Sequence, residues 1–252
     1  MKKIAFFVEG QTEQVFINRL VKEIIGYENL TVLLKKISGG TNAPKREFVR
    51  NYSISLKSEY TALIYDCGSD NRVKSEILDN INSLREAGYT CIVGLRDLYP
   101  LSIEELPRLE QGLKFLPYPL KRKDCPFDIV VAVREVETWF LAESSHFLRV
   151  DRKLTGRFIE KHLGFNPDTV NPISREHPSE DINKIYKLIG RSYTKKYWQV
   201  EKLVNRLDFN KIMNDIRFRT PSLNELIQTI EQFKNGEIQK AVILRKEKSS
   251  LK

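Results

Sequence analysis

IAFFVEGQTEQVFINRLVKEII, residues 4–25, contains the change of period that decides the fold. Ile4 to Val8 is an unbroken apolar run of strand length. A strand apolar throughout reads as buried on both faces of a sheet. From Thr12 onward, Val15, Phe16, Leu20, Val21, Ile24 and Ile25 recur at the three-and-four spacing of one helix face. Glu9-Gly10 stands between the two patterns. A carboxylate beside a buried strand is costly unless it is paired or holds a cation. The stretch therefore reads as a strand–turn–helix unit with an acid at the turn. Gly10 lets the chain turn sharply and Thr12 is placed to cap the helix. Glu13, in the first turn, complements the helix dipole rather than ligating anything.

The same alternation continues along the chain. A strand is expected near 30–37, closed by Ser38-Gly39-Gly40, and then a weak helix near 44–58. YTALIYD (60–66), YTCIVGLRD (89–97) and DIVVAVRE (128–135) read as further buried strands. A helix of about 72–87 carries Val73, Ile77, Ile81 and Leu84, with Gly88 just past its end. The proline-rich segment 100–126 reads as a short helix and a loop, and VETWFLAES as a helix. Apolar strands separated by helices predict an α/β fold with a mainly parallel sheet flanked by helices, here residues 1–147. From 148 the strand signal stops, so 148–252 is expected to be a helical part. Three helices are readable there. One is capped by Ser179 over 180–189, and one runs over about 195–207 with Trp198 and Leu203 inward. The third opens on Ser222 and Glu225 as a capping box. The tail from about 240 is basic.

Composition bounds the function. With 41% apolar and 30% charged residues the chain is globular rather than disordered. No apolar run reaches the roughly 18 residues of a membrane span, so no membrane is expected as partner. Met1-Lys2-Lys3 runs straight into the first strand without a cleavage-site pattern. Cys67, Cys91 and Cys125 are too scattered for a disulfide framework or a zinc cluster. The expectation is a cytoplasmic protein with reduced thiols. The net charge is +9. Residues 1–147 carry 20 Lys and Arg against 20 Asp and Glu, and residues 148–252 carry 22 against 13, so the whole excess lies in the C-terminal part. A basic part suits a polyanion, DNA or RNA. Within it, Arg191, Tyr193, Lys195 and Lys196 form a basic-aromatic cluster that reads either as a backbone-gripping patch or as a solvated turn.

The carboxylates concentrate at strand ends: Glu9, Asp66, Asp97 and Glu135, with Glu137 two residues on. In parallel strands these ends share one edge, where ligands of such sheets bind. Carboxylates held together raise one another's pKa unless a divalent cation neutralises them. Oxygen ligands with few histidines select Mg²⁺ or Mn²⁺. Asp66 or Asp70 alone would be no more than a helix cap. His146 and His162 lack ligand spacing, and His177 before Pro178 reads as structural. Trp139, beside Phe140 and Leu141, reads as core.

VEGQTE, with Glu-Gly at the end of the first strand, resembles the first motif of the Toprim fold, found in primases, topoisomerases and OLD-type nucleases. The second Toprim signature, Asp-x-Asp, is matched only by Asp66-Cys67-Gly68, which lacks its second Asp, as does Asp97-Leu98-Tyr99. That departure shifts weight to Asp97, Glu135 and Glu137. VEGQTE, LRDLYP, AVREVETWFLAE and the later HPSEDI, SYTKKY and RTPSLNELI are similar to a bacterial Toprim-like family known as a domain of unknown function. The resemblance implies a place beside ATPases in mobile-element or phage-defence loci. It maps the first-motif glutamate to Glu9 and the Ala-Val-Arg-Glu-x-Glu-x-Trp segment to Arg134, Glu135, Glu137 and Trp139. Arg134 would pair with a carboxylate or a scissile phosphate.

The expected function is a divalent-metal-dependent nuclease or related phosphoryl-transfer enzyme. Glu9, Asp97 and Arg134 are its catalytic candidates, and Glu9, Asp66, Asp97, Glu135 and Glu137 hold the metal. The alternative is a non-catalytic partner subunit of an ATPase. A nucleotide-binding phosphohydrolase is disfavoured, because neither GxxxxGK[ST] nor GxGxxG is present.

Overall fold

The computed structural model describes residues 1–39, 44–115 and 127–237. Cys125 and the basic tail from about 240 lie outside them. The chain is α/β. Six strands form one sheet in the order β3-β2-β4-β1-β5-β6: β1 (Lys2–Val8), β2 (Leu30–Ser38), β3 (Arg46–Ser53), β4 (Tyr60–Asp66), β5 (Tyr89–Asp97) and β6 (Phe127–Ala132). β1 pairs in parallel with β4 and β5, β2 pairs in parallel with β4, and β2 pairs antiparallel with β3.

Two compact units divide the chain. The first comprises Met1–Arg96, Pro107–Val130 and Leu226–Lys252, and the second Asp97–Leu106 and Val131–Glu225. In the first, β1 buries Ile4, Ala5, Phe6, Phe7 and Val8 completely. The helices α1 (Gln11–Ile25) and α2 (Asp70–Glu86) bury the expected stripes. Phe7 stacks on Tyr65 at 4.8 Å between ring centroids. Gln14 is buried on α1, and its Nε2 donates to the carbonyls of Lys35 (2.8 Å) and Ile64 (2.9 Å). A helix side chain is thereby fastened to two neighbouring strands. α3 (Leu106–Lys114) follows a short turn after β5.

Two local expectations for this unit change. Residues 46–53, expected within a weak helix, form β3. The strand lies at the sheet's edge with most side chains exposed, so neither a helical stripe nor a buried run marks it. The helix α1 starts at Gln11 after Gly10, whose φ of −158° is extended backbone open to any residue. Glu13 Oε2 there accepts the Gly10 N–H at 2.9 Å, so Glu13 rather than Thr12 satisfies this end. Gly68, by contrast, has φ 82°, where glycine is needed to leave Asp66.

The second unit is helical apart from the strand ends it contains: α4 (Glu137–Ala142), α5 (His146–Val150), α6 (Gly156–Leu163), α7 (Pro178–Lys187), α8 (Tyr197–Val204), α9 (Phe209–Lys211) and α10 (Arg217–Arg219). A π turn, Ile212–Ile216, joins the last two. The helix α11 (Pro221–Asn235) buries Leu223, Leu226, Ile227, Ile230 and Phe233 as expected, but it starts one residue before Ser222. The helices α5 and α6, of five and eight residues, are too short to show a periodic stripe. Trp139 is core, with 1% of its surface exposed.

His146 is structural. Its Nδ1–H donates to the Glu143 carbonyl, and Nε2 is buried without a hydrogen-bond partner among the described residues. Burial, outweighing the Glu143 hydrogen bond, lowers its pKa from 6.5 to about 4. The unfolded chain therefore takes up a proton at this ring between pH 6.5 and about 4 that the folded chain refuses. Over that window wild type should lose, relative to His146→Asn, about 3 kcal/mol of stability. Urea melts of both chains from pH 7 to pH 4 check this, and parallel pH dependences would refute it. A second expectation concerns Gly94, where a Cβ would meet Ile129 Cγ1 at 2.7 Å and Ile77 Cδ1 at 3.1 Å. Gly94→Ala should cost about 1–3 kcal/mol in the same assay.

Candidate functional site

The strand-end acids divide between the two units. Glu9 and Asp66 belong to the first. Glu9 follows β1, and its N–H donates to the Leu95 carbonyl at 3.1 Å. Val8 is in register with Asp66 on β4, so Glu9 and Asp66 leave the same edge of this pair. Asp66 is 2% exposed and both its oxygens are engaged. Oδ2 pairs with Arg50 Nη1 at 3.1 Å, and Oδ1 accepts the Gly68 N–H at 3.0 Å. Burial raises its pKa despite the opposing pull of Arg50, Lys36 and the Gly68 N–H. Arg50 stands on β3 and also donates to Gln14 Oε1 at 3.0 Å. Reading 44–58 as a helix concealed this partner. Asp70, read as a cap, pairs instead with Arg96 at 2.8 Å.

Asp97, Glu135 and Glu137 belong to the second unit, and there they meet one lysine. Lys195 Nζ lies 3.3 Å from Glu135 Oε1 and 3.1 Å from Glu137 Oε2. Asp97 attracts the same ammonium. Asp97 Oδ1 accepts the Val136 N–H at 2.9 Å, which fixes the turn between the two glutamates. Glu135 Oε2 accepts the Ser179 N–H at 3.0 Å. Ser179 was expected to cap α7; it lies instead in the helix's first turn, where an orphan N–H suits a carboxylate. Glu137 is 0% exposed, and its Oε1 accepts the Tyr193 O–H at 2.9 Å. Burial raises the Glu137 pKa, with Glu135 adding to the rise and Lys195 and Tyr193 opposing it. Burial by itself would lower Lys195, but Glu137, Glu135 and Asp97 outweigh it and hold the ammonium above the usual lysine range.

Two non-glycine residues here adopt left-handed backbone, Arg134 with φ 67° and Lys195 with φ 55°. Both adjoin the same acids. Such conformations cost free energy and persist where surrounding structure fixes them. Arg134 Nε is buried without a hydrogen-bond partner among the described residues, and the Arg134 carbonyl accepts the Tyr99 N–H at 2.9 Å. Lys195 is held by a clamp that sequence reading missed. Gln199 Oε1 accepts the N–H groups of Thr194 (2.8 Å) and Lys196 (3.3 Å), while its Nε2 donates to the Ser192 carbonyl at 3.0 Å.

The expected basic cluster is therefore divided in role. Tyr193 (2% exposed) and Lys195 turn to the glutamates, while Arg191 and Lys196 are exposed. For Mg²⁺ or Mn²⁺ the donor chemistry is suitable, being hard oxygen throughout. The arrangement is not. Both oxygens of Glu135 and Oε1 of Glu137 already have protein partners, and Glu137 Oε2, which accepts no hydrogen bond among the described residues, faces the Lys195 ammonium at 3.1 Å. Among the described residues no group of three or more His, Cys, Asp or Glu is set to hold a cation.

Fold and site together define an α/β protein with a mainly parallel sheet and a buried acid–lysine centre. A family model described as a domain of unknown function, DUF4276, matches residues 8–231, and the chain belongs to that family. No curated protein and no solved structure matches it.

Lys195→Met should destabilise the fold by about 1–3 kcal/mol. That is less than a wholly buried pair would cost, because 37% of the lysine side chain is exposed. In a Glu137→Gln background the same change should cost at least about 1 kcal/mol less. Chemical denaturation of the four chains measures the coupling, and strict additivity would show that the pair is not a functional unit.

Proposed function

We propose that this chain is a phosphoryl-transfer enzyme acting on nucleic acid, in the nuclease class, with its chemistry at Asp97, Glu135, Glu137 and Lys195. One observation carries the reading. Two buried carboxylates, Glu135 and Glu137, pair with one ammonium that a third, Asp97, also attracts, and both Lys195 and Arg134 adopt left-handed backbone. Their formal charges leave two negative charges in excess, in a place where burial penalises charge. Buried titratable groups with shifted pKa values and backbone strain together mark functional sites. Burial raises the Glu137 pKa, the direction that suits a carboxyl to general acid–base work. Lys195 supplies a fixed positive charge of the kind that stabilises a developing phosphoryl charge. The basic composition of residues 148–252 agrees with a polyanionic substrate. VEGQTE also resembles the first Toprim motif, which keeps Glu9 a candidate ligand or base in the first unit. Mg²⁺ or Mn²⁺ enters this reading only if the Lys195 ammonium leaves the two glutamates, so no step is assigned to a metal.

A second reading has its own support. With both oxygens of Asp66 and Glu135 bonded to protein groups and Glu137 held against Tyr193 and Lys195, the chain resembles one whose metal ligation has lapsed, a non-catalytic partner of an ATPase. Single- and double-stranded DNA and RNA incubated with wild type in Mg²⁺, Mn²⁺ or chelator separate the two. Cleavage that falls about a hundredfold or more in Lys195→Met and Glu137→Gln supports the enzyme. Absence of cleavage on every substrate, together with no heat of Mg²⁺ or Mn²⁺ binding at millimolar concentration, sinks it in favour of the partner. If Glu9→Gln cuts as well as wild type, Glu9 has no part in the chemistry.

A further inference from the structure

A cavity of about 480 Å³ opens in the second unit between α7 and α8, within the roughly 300–1,000 Å³ of small-molecule sites. Arg191, Lys202 and Arg206 line it with Trp198, Tyr186 and Gln199, and no acidic residue is among its lining. None of the three cations, Arg191 and Lys202 exposed and Arg206 half-buried, is in an ion pair among the described residues, whereas Arg50, Arg96, Arg175 and Lys195 all are. Arg191 Nη1 donates to the Val150 carbonyl at 3.2 Å, and Arg206 donates to the carbonyls of Arg149 (3.3 Å) and Lys202 (2.9 Å). These bonds hold the guanidiniums in place without neutralising them. Both guanidiniums also act on the Tyr186 hydroxyl, whose pKa burial pushes up to about 12 and their charge draws down. Trp198, expected to face inward, is 53% exposed, with Lys202 Nζ 5.0 Å from its ring centroid. Trp198, Lys202 and Arg206 recur every four residues, so they share one face of the chain through α8.

We propose that this cavity binds a nucleoside 5′-monophosphate unit, with the base against Trp198 and the phosphate held by Arg191, Lys202 and Arg206. The chemistry follows from the lining. Fixed guanidiniums match a phosphate's paired oxygens, and an exposed indole offers a face to any base. Uncompensated cations around a concave site raise the local concentration of anions. The unit can come from a free nucleotide or from the phosphorylated end of a strand. The site does not depend on the acid–lysine centre, so a chain that cleaves nothing can still bind here.

Of the chain's two tryptophans, Trp139 is buried and Trp198 exposed, so ligand-induced quenching reports on the cavity. Full-length protein is titrated with adenosine 5′-monophosphate, adenosine, inorganic phosphate, and a single-stranded hexamer with and without a 5′-phosphate, in about 150 mM salt. The monophosphate or the phosphorylated hexamer should quench the emission, and adenosine and phosphate should bind about tenfold more weakly or not at all. Trp198→Ala and Lys202→Glu, measured by competition with a fluorescent analogue of the monophosphate, should weaken binding about tenfold or more, whereas exposed Lys187→Ala outside the cavity should not. Equal affinity for the monophosphate and the phosphorylated hexamer assigns the site to free nucleotides. Preference for the phosphorylated hexamer over both the monophosphate and the unphosphorylated hexamer assigns it to strand ends. Binding unchanged in Trp198→Ala and Lys202→Glu, or absent for every probe at millimolar concentration, overturns the proposal.

Discussion

A parallel strand hydrogen-bonded on both sides and covered on both faces has no room for charge along its length. That constraint acts on β1, which pairs with β4 and β5 and buries five consecutive residues without exposure. Polar chemistry is displaced to where the strands stop, which is where Glu9, Asp66 and Asp97 occur. Each acid then needs a counter-charge or a donor, and the chain supplies one locally wherever its partners are described. Asp66 has Arg50 and the Gly68 N–H, Asp97 has the Val136 N–H, and Glu135 has the Ser179 N–H and Lys195. The sheet thus determines where acids occur, and side chains from elsewhere in each unit determine what those acids can do.

How much of this could be read in the sequence follows from the same physics. Strands buried on both faces are continuous apolar runs, so β1, β4 and β5 are plain in the letters. α1, α2 and α11 carry stripes long enough to show a period. The antiparallel edge strand β3 shows neither sign, because its side chains point largely to solvent. Arg50 was lost with it, and Asp66 then looked like a ligand awaiting a metal. Lys195 looked like one of several exposed cations. Nothing local announces that its backbone turns left-handed and delivers the ammonium to glutamates about sixty residues earlier. Trp198 is grouped with Leu203 as one apolar face of the expected 195–207 helix, yet it lies outside. The four-residue recurrence through Lys202 and Arg206 was the signal available to place it outside.

Two answers to a crowd of carboxylates are a divalent ion and a protein cation, and the second unit uses the second. The choice has chemical content. An ion exchanges with solvent and vanishes with a chelator, whereas an ammonium on a strained loop is covalently retained and moves only if its loop moves. Burial also raises the Glu137 pKa, which favours its neutral form relative to a free carboxyl.

Gln199 gives that loop a second allegiance. Its side chain grips residues 192–196 from α8, and it also borders the cavity beside Trp198. A single amide thus belongs to the scaffolding of two places at once. Losing that side chain would strip a wall from the cavity and three hydrogen bonds from the loop in one stroke.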